Sequence, residues 1–343
     1  LSCIDVGRWS TARLAAETVV VPVEETKLAA ASPEVVRGAG GIILFGTSAP
    51  SNLASQVTTL ERGVPEDYGL LVMTDEEGGG IQRMPNLVGS LPWPSYMGAN
   101  WSPAAITRAV TVVAHRMTQY GVNMDLAPVL DVDGRAVMPG DSDPDGFRSF
   151  NGSTAIVSAD GVAYMRGLLA GGVVPVVKHF PGLGGATANT DVATAKTLPW
   201  SELQKVAIPP FAAAIAAGAP AVMISNAIVP GLTDLPASLS SAVIEGELEG
   251  ALHFHGLVIT DSLTATAISD AGFSVAGAAV KAIEAGADMV IYGAYATAAA
   301  TNDEFMAILN AIVTAVEQGE LPRPRLVAAA KAALAARHVN VCT

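Results

Sequence analysis

A rhythm constrains this chain more than any single residue does. Eight short apolar runs, rich in β-branched side chains, recur along its 343 residues, at 18–23, 41–45, 69–74, 121–126, 173–178, 221–225, 256–260 and 288–292. Each run is almost continuously apolar rather than alternating, as expected of parallel strands covered on both faces. Helical stretches separate them. The spacing predicts helices over 103–120 capped by Ser102, over 154–170 capped by Ser153, and over 201–218 with Glu202 in the first turn. A last helix is expected near 326–337, and Gly121, Gly171 and Gly218 are expected to close helices in the left-handed conformation. Eight such units use the whole sequence without a linker. The expected fold is α/β, a single (β/α)8 TIM-type barrel over residues 1–343.

Composition excludes several classes of function. Half the residues are hydrophobic and 15% are charged, which is incompatible with a disordered chain. Lys and Arg number 19 against 32 Asp and Glu, a net charge of −13, so clustered cations for nucleic acid are not expected. No apolar run reaches the ~20 residues of a membrane-spanning helix. The two cysteines, Cys3 and Cys342, stand at opposite ends and build no metal site by local spacing. Three fates remain open for them: two free thiols, a disulfide joining the ends of a closed barrel, or a lipid anchor on Cys3 with Leu1-Ser2-Cys3 as the remnant of a lipoprotein signal. The last two imply export.

In a barrel of this kind chemistry sits where the strands end. Reading off those ends gives Asp75, Glu76 and Glu77, then Asp125 and Asp131, then Lys178 and His179, and finally Asp261. Each has a bland alternative: Asp261 could cap a helix, Lys178 and His179 could form a satisfied core ion pair, and 75–80 could be a solvated turn. Against these, a buried Lys and His are costly unless they meet an acid or a ligand. Two carboxylates facing each other across a pocket are what glycoside hydrolysis requires.

The segment Asp75-Glu76-Glu77-Gly78-Gly79-Gly80-Ile81-Gln82-Arg83 resembles the Asp-Gln-Glu-Gly-Gly-Arg-Val-Gln-Arg signature of glycoside hydrolase family three, in its single-barrel β-N-acetylglucosaminidase branch. Asn123 to Val129, Arg148-Ser149-Phe150, Lys178 to Gly182, Pro236 to Ser240 and Gly256 to Leu263 match the family in the same chain order. The resemblance implies that Asp261 is the nucleophile and that Asp75, Arg83, Arg148, Lys178 and His179 bind the terminal sugar. Glu76 falls where the family usually has Gln, and Glu77 is read as structural. No metal or organic cofactor is implied. The expected partner is a small carbohydrate, and the expected protein is an exported, secreted or cell-envelope monomer.

The departures are equally informative. The family branch carries Asp-Ser-His on the loop after the fifth strand, with that His as acid/base. Here the aligned residues are Asn189, Thr190 and Asp191. His115, His253, His255 and His338 are not placed to replace it. Asp191 is therefore the expected proton donor, with Glu76 and Asp145 as alternatives, and Gly182, Gly184 and Gly185 predict a flexible loop around it. Asn226 stands where the family often has His. The expected activity is a retaining exo-β-N-acetylhexosaminidase acting on glycans or cell-wall peptidoglycan fragments. A sugar-binding barrel without efficient hydrolysis, or a β-glucosidase or β-xylosidase, is the alternative. A Schiff-base aldolase using Lys178 leaves Asp261 unexplained.

Overall fold

The computed structural model describes residues 3–293 and 295–342; the Leu1-Ser2 part of the lipoprotein reading lies outside the described residues. Eight parallel strands close into a barrel: β1 (Val19–Glu24), β2 (Gly41–Phe45), β3 (Leu71–Thr74), β4 (Met124–Asp125), β5 (Val174–Phe180), β6 (Ala221–Ile224), β7 (Leu257–Ser262) and β8 (Met289–Ile291). Each pairs with its neighbours in chain order, and β8 pairs with β1. The fold is the expected (β/α)8 TIM barrel.

Two apolar layers hold it. Inward-facing Val20, Ile43, Met73, Leu126, Met223 and Ile291 fill the barrel as one cluster, and the outward faces join a larger cluster with the helices. Such a packed interior leaves the open end of the barrel as the place for a ligand. Helix Pro103–Gln119 packs along helix Thr154–Ala170. Their approach needs glycine, since a Cβ on Gly171 would lie 2.4 Å from Ala114 Cβ.

Several local expectations are corrected. The region 201–218 is two helices, Trp200–Val206 and Ile208–Ala216, because Pro209 and Pro210 cannot continue a helix but fit the first turn of a new one. Gly171 is right-handed, and Gly172, at φ +88°, takes the left-handed position instead. Ser102 caps its helix by accepting from Ala105 N–H, whereas the Ser153 side chain makes no such bond. The last helix runs Arg323–Ala335. Strands β5 and β7 extend further than expected, so His179 and Asp261 lie within strands rather than beyond them.

The chain ends meet. Ile4 N–H donates to Asn340 O and Cys342 N–H to Ile4 O, both at 2.9 Å, and Cys3 is disulfide-bonded to Cys342 with Cα atoms 5.0 Å apart. The Cys3 sulfur is thereby engaged, in place of the free-thiol and lipid-anchor alternatives. Among the described residues no helix is long and apolar enough to cross a membrane. Because the bond closes a loop with a sequence separation of 339 residues, replacing both cysteines by Ser should lower the unfolding free energy by about 2–5 kcal/mol. Urea denaturation would show it as an earlier midpoint. Coincident curves would contradict a stabilising disulfide.

Candidate active site

A cavity of about 390 Å³ opens at the C-terminal ends of the strands. Its apolar floor includes Ile43, Leu126, Met223 and Ile291, which belong to the barrel filling. All seven residues expected at the site line it: Asp75, Arg83, Arg148, Lys178, His179, Asp191 and Asp261. They arrive from β3, β5, β7 and the loops beyond, so the closed barrel brings together groups far apart in sequence.

Lys178 is the hub. Its buried Nζ lies 2.8 Å from Asp75 Oδ1 and 2.6 Å from Glu77 Oε1. Arg148 grips both Glu77 oxygens at 2.8 Å, and Arg83 reaches Asp75 Oδ2 at 3.3 Å. Burial alone would raise both carboxyls. For Asp75 the charges of Lys178 and Arg83 reverse that and hold it below its usual range, and for Glu77 those of Arg148 and Lys178 do so. Glu77 is thus part of the cavity wall as well as its scaffold.

His179 is fixed by Asp131. Its Nδ1 is 2.7 Å from Asp131 Oδ2, while Asp131 Oδ1 accepts from Leu183 N–H at 2.7 Å. The other ring nitrogen, Nε2, lies 3.4 Å from an Arg148 nitrogen. Burial raises the Asp131 carboxyl, but His179 and these hydrogen bonds pull it below its usual value.

Asp261 sits near the end of β7 with Oδ1 accepting from Ser262 N–H at 2.7 Å. Asn226, buried behind it, donates to the Ser262 carbonyl at 2.7 Å and accepts from Ser238 Oγ at 2.6 Å. The motif residue Ser238 and the family departure Asn226 therefore brace the backbone beside Asp261.

Asp191 stands at the rim, exposed at its outer edge. Partial desolvation by the cavity wall raises its carboxyl, the Asp261 carboxylate raises it further, and Arg148 and His179 oppose them. The two carboxyls thus share one electrostatic environment. The loop is anchored rather than slack. Thr266 donates to the Asp191 carbonyl through Oγ1 at 2.7 Å and N–H at 3.2 Å, and Ala267 N–H donates to Thr190 O at 3.0 Å. Gly184 also presses on the backbone, where a Cβ would come within 2.0 Å of Val132 O. The glycines serve close packing here.

The alternative acids are elsewhere. Glu76 and Asp145 are fully buried and absent from the cavity wall. His115 lies on helix Pro103–Gln119, and His255 and His338 line a separate cavity beside the strand beginnings.

Comparison with known proteins gives the family. Residues 16–335 match the glycosyl hydrolase family 3 N terminal domain. The chain belongs to glycosyl hydrolase family 3. The protein named beta-hexosaminidase LpqI from Mycobacterium tuberculosis is 33% identical over 265 residues, covering 74% of this chain; the match spans 64% of that relative's length. A beta-hexosaminidase from Xylella fastidiosa is 33% identical over 262 residues, 73% of this chain and 75% of the relative. The crystal structure of a beta-N-acetylhexosaminidase from Beutenbergia cavernae superposes with a TM-score of 0.84 at 29% identity, covering 96% of this chain and 99% of that one.

Among the described residues, Asp131, Asp145 and His179 are the trio close enough to share a cation. In this family-3 site Asp131 is already engaged, and the Arg148 guanidinium beside His179 would repel one.

Glu76, at the family's Gln position, lies below the cavity. Its oxygens accept from Gln82 Nε2 at 2.8 Å, Arg83 N–H at 2.6 Å and Met84 N–H at 2.7 Å, yet burial pushes it up to about 7. A carboxyl raised in the fold contributes stability below its unfolded value that is lost as pH rises through the folded one. The stability of Glu76→Gln relative to the wild type should therefore increase by about 2–4 kcal/mol from pH 5 to pH 8. Denaturation at the two pH values tests this, and a difference independent of pH would contradict it.

Proposed function

We propose that this chain is a retaining exo-acting β-N-acetylhexosaminidase that removes terminal N-acetylglucosamine. The observation carrying the reading is the presence of two carboxyls, Asp261 and Asp191, on one cavity whose polar wall also includes Asp75, Glu77, Arg83, Arg148, Lys178 and His179. The beta-hexosaminidase names of its relatives support the choice of sugar.

Asp261 Oδ1 is held by Ser262 N–H, leaving Oδ2 to attack the anomeric carbon. As that bond forms, the bond to the glycosidic oxygen breaks and Asp191 gives its proton to the leaving oxygen. In the second half Asp191 takes a proton from water, which attacks the anomeric carbon and releases Asp261. The raised Asp191 carboxyl suits a group that must hold a proton first and receive one later. Asp75 accepts from sugar hydroxyls, while Lys178, the arginines and His179 donate to them.

The disulfide supports a setting outside the reducing cytosol, and an acidic exported monomer acting on cell-wall fragments fits it. The test uses nitrophenyl and alkyl N-acetyl-β-glucosaminides, with glucosides and xylosides alongside. Asp261→Ala should fall to background on all of them. Asp191→Asn should lose about 10²–10⁴-fold on the alkyl glycoside, which needs its leaving oxygen protonated, and far less on the nitrophenyl one. Equal losses on both would reject Asp191 as the acid, and an inactive folded wild type would favour the sugar-binding alternative.

A further inference from the structure

Two loops at the mouth of the cavity carry large exposed apolar side chains next in sequence to residues of its wall. Val137, Met138 and Val192 are 43%, 62% and 49% exposed. Single exposed apolar residues are ordinary, but these three stand on two loops that meet at the cavity. Met138 directly precedes Pro139 and Gly140, Val192 directly follows Asp191, and Pro139, Gly140 and Asp191 all line the wall. The loops are tied together by Asn189 N–H donating to Asp141 O at 2.8 Å.

Both loops are built rather than slack. The Val137 carbonyl accepts from Phe147 N–H at 2.9 Å, Gly140 and Asp143 exchange backbone hydrogen bonds at 2.7 and 3.3 Å, and Val192 N–H donates to Asn189 O at 3.2 Å. An apolar surface held this way binds without a large ordering cost.

Its relation to the chemistry follows from the acid. A proton donor must come within hydrogen-bond reach of the oxygen it protonates, so the leaving group passes beside Asp191. The terminal sugar lies below, against Lys178 and its partners. Whatever is attached beyond the glycosidic oxygen leaves the cavity between the loops whose Pro139, Gly140 and Asp191 line its wall and that carry Met138 and Val192. We infer that Val137, Met138 and Val192 form the leaving-group subsite and select aglycones presenting an alkyl or aryl face over bare polyhydroxyl ones. The inference rests on Asp191 being the proton donor.

The experiment compares methyl and hexyl N-acetyl-β-glucosaminides, whose leaving alcohols differ little chemically, in the wild type and in Met138→Ser/Val192→Ser. The wild type should show a KM for the hexyl glycoside about tenfold or more below that for the methyl one, since each partly covered methylene adds about two- to threefold. The double variant should lose most of this advantage while its methyl kcat and KM stay within about twofold. Met138→Leu/Val192→Ile should keep the advantage and guards against misfolding. Equal KM values in the wild type, or an advantage that survives in the serine variant, would overturn the subsite while leaving the hydrolase reading intact. No turnover of either glycoside by folded wild type would overturn the underlying reading, and the subsite with it.

Discussion

The bridge from Lys178 to Asp75 and Glu77 is the contact on which the rest of the site depends. It joins the end of β5 to the end of β3 through a buried ammonium, and Arg148 and Arg83 extend it to the loops. Removing charges from water is costly, and a buried network of this kind contributes position more than stability. The cost is met here because each carboxylate is paired at least twice. What the barrel obtains is a rigid polar wall over an apolar floor, in which donors and acceptors point at one small volume. A ligand rich in hydroxyls can exchange water for these groups without leaving any of them unpaired.

Around this fixed wall the two proposed reacting carboxyls are held by different means. Asp261 lies within a strand and is braced from behind through Ser262, Asn226 and Ser238. Asp191 lies on a loop, but that loop is fastened to the segment immediately beyond Asp261. The two are therefore mechanically linked although 70 positions separate them in the numbering. Burial of Asp191, and then the Asp261 carboxylate beside it, raise the Asp191 carboxyl, the direction that acid work on a sugar needs.

Much of this was readable in the sequence. Eight apolar runs specify parallel strands because both faces of each are covered, and strand-end positions of Asp75, Lys178 and Asp261 follow from topology alone. Boundaries were less legible. The break at Pro209 lay in plain view but was hidden by the continuous apolar pattern around it, and the left-handed turn moved from Gly171 to Gly172 because two adjacent glycines offer the same freedom. Within the site, Glu77 gave no signal to distinguish a wall residue from a scaffold residue, since that depends on which cation reaches it across the barrel. The support given by Asn226 and Ser238 depends on a long-range backbone contact that local patterns do not encode. The glycines near Asp191 suggested freedom, yet Gly184 serves close contact with Val132 and Gly182 with Ala207.

The central claim is that Asp261 becomes covalently bonded to the sugar during turnover. Its most direct test is to trap the protein with a slow fluorinated analogue of the substrate, digest it, and locate the added mass by peptide mass spectrometry. The account predicts one sugar on the peptide containing Asp261. An adduct on a different residue, or rapid turnover of an ordinary substrate with inversion at the anomeric carbon and no adduct at any time, would contradict it.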